Sequence, residues 1–161
     1  MAWSNSKIFS AFITDLMNNT TAMDMNTDAL LEAALFDNSI TPSQTVTSAN
    51  SAYAAGVWAS GGITDTGSSA PAGWPSLGRP LVSVTSVFST NVYTFDAADT
   101  VSANAVTTLA ATYGCLVYDH SIASPVADQS MCFNYFGGSN SVTLGTFTIV
   151  WNSSGIFTIT L

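Results

Sequence analysis

From Gln129 to Leu161 the chain carries no Asp, Glu, Lys or Arg. Through most of this stretch apolar residues alternate with Ser, Thr and Asn, the period of a β-strand. The phase changes once: Val142 and Leu144 are even-numbered, whereas Phe147, Ile149 and Trp151 are odd. A one-residue slip at Gly145 predicts a β-bulge, which glycine tolerates. Placing Phe147, Ile149 and Trp151 opposite Leu161, Ile159 and Phe157 leaves Ser153, Ser154 and Gly155 as a hairpin loop, with Gly155 left-handed. An uncharged strand reaching Leu161 is a liability on a free edge. It predicts that this strand is central in its sheet or covered by another subunit.

Upstream, the segments at 81–89, 92–97, 105–111, 113–119 and 131–138 also read as strands. LLEAALF has mixed preferences, but Pro42 bars easy helical continuation, so 29–36 is read as a strand. One helix is expected, over 4–17, with Ser4 as its N-cap and Ile8, Phe9, Phe12, Ile13 and Leu16 on one face. The expectation is an all-β fold, a sandwich or jelly-roll-like barrel of about eight or nine short strands with one N-terminal α-helix. Residues 1–26 would form a helical arm and 27–161 the β-sandwich domain.

Residues 60–80, rich in Gly, Ser and Pro, form a loop long enough to suggest a function or an interface. This loop carries Trp74 and the only Arg, Arg79, both types favoured in interface hot spots. With Trp3, Ile8, Phe9 and Phe12 of the helix, these two make up the expected subunit or capsid interface. The competing reading packs the helix face and Trp74 into the domain core and pairs Arg79 with a nearby Asp.

Ten acids against Lys7 and Arg79 give a net charge of -8. So few cations argue against nucleic acid as a partner and against a polybasic membrane patch. No apolar run approaches the ~20 residues of a membrane helix. The N-terminal stretch lacks an unbroken apolar core and is read as retained.

Catalytic chemistry is weakly represented. Asp119, His120 and Ser121 are contiguous, a spacing that rarely converges on one substrate atom. One His and no Cys-x-x-Cys argue against zinc. Asp96 and Asp99 read as turn caps. Cys115 and Cys132 read as buried, reduced, small hydrophobes. No enzyme, no cofactor and no metal is expected.

YGCLVYD, SPVADQSMCFNYFGG and SVTLGTFTIVWNSSGIFTITL, with ALFDNSITP, SANSAYAAGVW, GWPSLGRPL and FDAADTVSAN upstream, resemble a family of small structural proteins of tailed bacteriophages. The resemblance spans roughly residues 28 to 161. It implies a virion component, foremost a capsid decoration (cement) protein on the outer head surface, assembled in the host cytoplasm. The implied partners are the major capsid protein and the chain itself, as a homo-oligomer such as a trimer. The alternatives are a tail or adaptor protein, or a carbohydrate-binding, adhesin-like β-module in which Trp58, Trp74 and Tyr53 would stack on sugars.

Overall fold

The computed structural model describes residues 3–28, 30–67 and 71–161. Met1 and Ala2 of the expected arm, Ala29 of the expected first strand, and residues 68–70 of the long loop lie outside them. In chain order come β1 (Lys7–Ile8), α1 (Ser10–Met17), β2 (Leu31–Phe36), α2 (Ser48–Ser51), a 3-10 turn (Gly56–Ala59), β3 (Gly62–Ile63) and β4 (Arg79–Pro80). Then follow β5 (Thr85–Ser89), β6 (Val92–Asp96), β7 (Thr100–Val101), β8 (Thr107–Asp119), β9 (Ser130–Gly145), β10 (Thr148–Ile149) and β11 (Phe157–Thr160). The fold is all-β, with an N-terminal helix.

The main antiparallel sheet runs β1-β9-β8-β2-β3, with β4 pairing beside β3 along β2. Its register defines two faces. Ala34, Leu116 and Phe133 align on one; Ala33, Val117 and Cys132 align on the other. Trp3 and Trp58 cover the first, both meeting Phe133. On the second, Trp74 donates its indole N–H to the Ala33 carbonyl at 3.1 Å and meets Phe147 edge to face. Phe95 and Phe157, from the separate sheet β11-β6-β5, belong to the same core.

The predicted strands at 105–111 and 113–119 are one strand, β8, kinked where Ala111 takes φ 52. β9 likewise continues beyond residue 138, and between the Gly114–Tyr135 and Thr112–Asn140 pairs it holds three more residues than β8. The expected slip near Gly145 is present: two steps on β8 oppose three on β9 from Val142 to Gly145. Its left-handed residue is Leu144 (φ 50), whose N–H is accepted by Thr108 Oγ1. Irregular ribbons make poor templates for strand addition. Bulges, rather than charges, thus blunt the outer edge of β9.

The closing hairpin is a correction. The turn exists: the Gly155 N–H reaches the Asn152 carbonyl at 2.8 Å, with Gly155 at φ 103. Its arms, however, pair elsewhere, Thr148–Ile149 with Thr100–Val101 and Phe157–Thr160 with Val92–Phe95. Asp99 Oδ1 takes the Trp151 N–H, and Thr100 Oγ1 takes the indole N–H, drawing one arm away. Alternation tells which residues share a buried face, not which strand lies alongside.

One further expectation changes. α1 begins at Ser10 with Phe9 at its N-cap, and Ser4 lies outside it, because Lys7 and Ile8 are taken up by pairing with Phe133 and Cys132. Trp3, Phe9 and Phe12 of the N-terminal segment sit in the same core cluster as the sheets.

Candidate functional site

Of the six expected interface residues, four have side chains committed inside the chain. Trp3, Phe9, Phe12 and Trp74 are at most 1% exposed. Trp3 also donates to the Asp37 carbonyl at 2.7 Å, and Phe12 packs against Phe157. Burying these rings removes the largest apolar areas the segment possesses from water, which is why they sit in the core. Ile8 is half-buried opposite Cys132. Arg79 is half-buried and donates from Nε to the Val101 carbonyl at 3.2 Å, with no carboxylate in ion-pair range among the described residues.

The long loop is fastened rather than free. Asp65 accepts backbone N–H groups from Gly67, Gly73 and Thr108 at 2.6–2.7 Å. Trp74 plugs into the core beneath it, and Trp58 is 2% exposed, so neither ring can stack on a sugar at the surface. Tyr53 stacks on Tyr118 at 4.7 Å, and the two hydroxyls donate to the Ser76 and Leu77 carbonyls.

Sequence reasoning missed an apolar wedge of about 450 Å³ between α1 and the three-stranded sheet. From α1 come Phe12, Ile13, Leu16 and Met17. Across it, Phe88, Tyr93 and Ile159 form a row over three strands, continued by Leu161. No polar or charged side chain other than the Tyr93 hydroxyl belongs to the lining, and that hydroxyl is paired with Ser86. Met17 is 82% exposed, Leu161 80% and Phe88 57%. The helical spacing of Ile13, Leu16 and Met17 carried the signal, but periodicity cannot say that the sheet splays away from the end of the helix.

Titratable groups gather near the start of β2. Glu32 faces Tyr118 across the register, and its Oε2 is buried with no hydrogen-bond partner. Burial pushes its carboxyl up to about 7, against the opposing pull of His120 and Arg79. Tyr118 is raised by burial, with Glu32 adding to the effect. His120 Nδ1 lies 2.9 Å from Asp128, while the Ser121 hydroxyl donates to Asp119. The histidine and serine therefore serve different carboxylates, which is not the geometry of an activated nucleophile.

Cys115 and Cys132 are both free and fully buried. They occupy diagonal positions on one face, since Cys115 opposes Asn134 and Cys132 opposes Val117. Burial raises both thiols, Cys132 up to about 12. Asp96 and Asp99 accept backbone N–H groups from Ala97 and Trp151. Among the described residues no group of His, Cys, Asp and Glu is placed to hold a metal ion. No helix there is long and apolar enough to cross a membrane. Comparison with protein-family models, curated proteins and solved structures returns no match.

Proposed function

We propose that the chain is a structural component of a tailed-bacteriophage virion, foremost a capsid decoration protein that works as a homo-oligomer on the outer head surface. The observation that carries this reading is the wedge between α1 and the β11-β6-β5 sheet. Met17, Phe88 and Leu161 stand exposed around a cavity lined by apolar side chains. Its occupant is a second copy of the chain. The knobs and the cavity sit side by side on one surface, so two or more copies can fill each other's wedge. The lining has no charged side chain, so copies of net charge -8 meet there without bringing Asp or Glu side chains together.

The remaining surface suits a shell. Lys and Glu are depleted at interface cores, and this chain has one of each. Covering Ser, Thr, Asn and Ala costs less desolvation than covering charges. Binding many equivalent capsid positions would stabilise the assembled shell by mass action, without any chemical step. Purified expanded heads mixed with the recombinant protein test this. Saturation at a fixed ratio to the major capsid protein, with heads more resistant to heat, is expected. Failure to bind heads, or electron microscopy that finds the chain only in tails, overturns it.

A further inference from the structure

A different surface holds an open groove. Two clefts of about 430 and 290 Å³ lie along β1 and β9 of the main sheet and share Ser6, Asn134 and Ile156, forming one elongated groove. The first part lies between β1 and β11, the outer strands of two different sheets. The second continues under Phe136 and Trp151 toward the Gly155 turn.

The lining has a distinct chemistry. Gln44, Asn134 and Asn152 bring side-chain amides, and Ser6 and Thr158 bring hydroxyls. None of the ten acids lines either part, and Lys7 is the single cation. Gln44 and Lys7 make no side-chain hydrogen bond among the described residues, and the Asn134 amide reaches only the thiols of Cys132, at 3.5 Å, and Cys115, which are weak acceptors that a ligand hydroxyl can replace. Trp151 is held in place before any ligand arrives. Its indole N–H is bound by Thr100 Oγ1 and its backbone N–H by Asp99, both at 3.1 Å, while the side chain stays partly open. An immobilised ring loses little entropy when something stacks on it.

We infer that this groove binds a neutral oligosaccharide, with Trp151 as the stacking platform and Gln44 and Asn134 as the hydroxyl-reading amides. Sugar hydroxyls both donate and accept, and a carboxamide offers two donors and two acceptor lone pairs for them. The apolar face of a pyranose matches an aromatic ring and the flanking Ile149 and Ile156. An anionic glycan would find one cation, and a cationic ligand would find no carboxylate. A peptide adding as a strand would find only the two residues of β1 or the four of β11 as an edge, both short.

The test titrates the full chain with maltohexaose, cellohexaose and chitohexaose, followed by tryptophan fluorescence and calorimetry, beside an uncharged Thr-Val repeat peptide. Saturable binding of at least one saccharide is expected. Trp151→Ala and the surface change Gln44→Ala should each weaken it about tenfold, the scale of one aromatic or amide contact. Gln44→Ala keeps the test decisive if Trp151→Ala unfolds. No binding of any of the three sugars, wild-type affinity in the folded variants, or binding of the peptide alone overturns the inference. Head binding by Gln44→Ala stays unchanged, so this result is separable from the decoration reading.

Discussion

Trp3 meets Trp58 edge to face with ring centroids 5.8 Å apart, and Phe9 meets the same indole from another side at 6.1 Å. The start of the described chain is thereby welded to a loop more than fifty residues away. Trp3→Asp or Phe9→Asp should therefore unfold the chain rather than only dissociate it. Losing a buried aromatic costs about 3–5 kcal/mol, and the introduced carboxylate adds to that. Circular dichroism and urea titration read the outcome; a folded, non-associating variant would contradict it.

Asp65 ties the long loop to β8 through the N–H groups of Gly67, Gly73 and Thr108. Asp65→Ala strands those donors and should lower stability by about 2–4 kcal/mol, with Asp65→Asn in between. Limited proteolysis should then cut within residues 60–80 first. Unchanged urea midpoints would show that the loop is held some other way.

Glu32 gives the stability a pH slope. Its carboxyl keeps a proton in the fold up to about pH 7, whereas an unperturbed one releases it at 4.5. Across that window the folded chain holds a proton the unfolded chain has lost, so stability falls as pH rises and levels off above it. The groups facing it are His120, Arg79 and Tyr118. Discounted for partial exposure, the drop should be about 1–2 kcal/mol. Subtracting the urea curves of Glu32→Gln from those of the wild type isolates this term, and a parallel pair of pH profiles would refute it.

Cys115 and Cys132 should react with a thiol reagent only on unfolding. Both are sealed in the core, and their raised thiols supply little thiolate at neutral pH. Labelling should rise with denaturant along the unfolding curve. Fast labelling of the native chain would mean that the sheet opens locally at β8 and β9.

Met17→Glu and Phe88→Glu test the wedge. Both side chains are mostly exposed, so the monomer should keep its stability to within about 0.5 kcal/mol. Analytical ultracentrifugation should show the loss of self-association. Oligomers that persist in both variants would place the contact elsewhere.

Much of the β architecture was legible because period-2 alternation reports burial directly. The bulge between Val142 and Gly145 and the turn at Gly155 could both be read from it. Trp3, Phe9, Phe12 and Trp74 were recognised as important apolar groups, but their partner was uncertain. An apolar face looks the same in sequence whether its own sheet or a neighbour covers it.

The sequence by itself determined an all-β chain with little charge, an N-terminal helix and uncharged closing strands. Local alternation, glycine position and charge count are sufficient for those features. Only the tertiary structure decided that Phe157 lies beside Phe95 instead of across from Trp151, that Phe9 and Phe12 are interior, and that the wedge at Met17 and the groove at Trp151 exist. Strand partners and cavities arise from contacts between residues far apart in the chain, and a single sequence records no term for them.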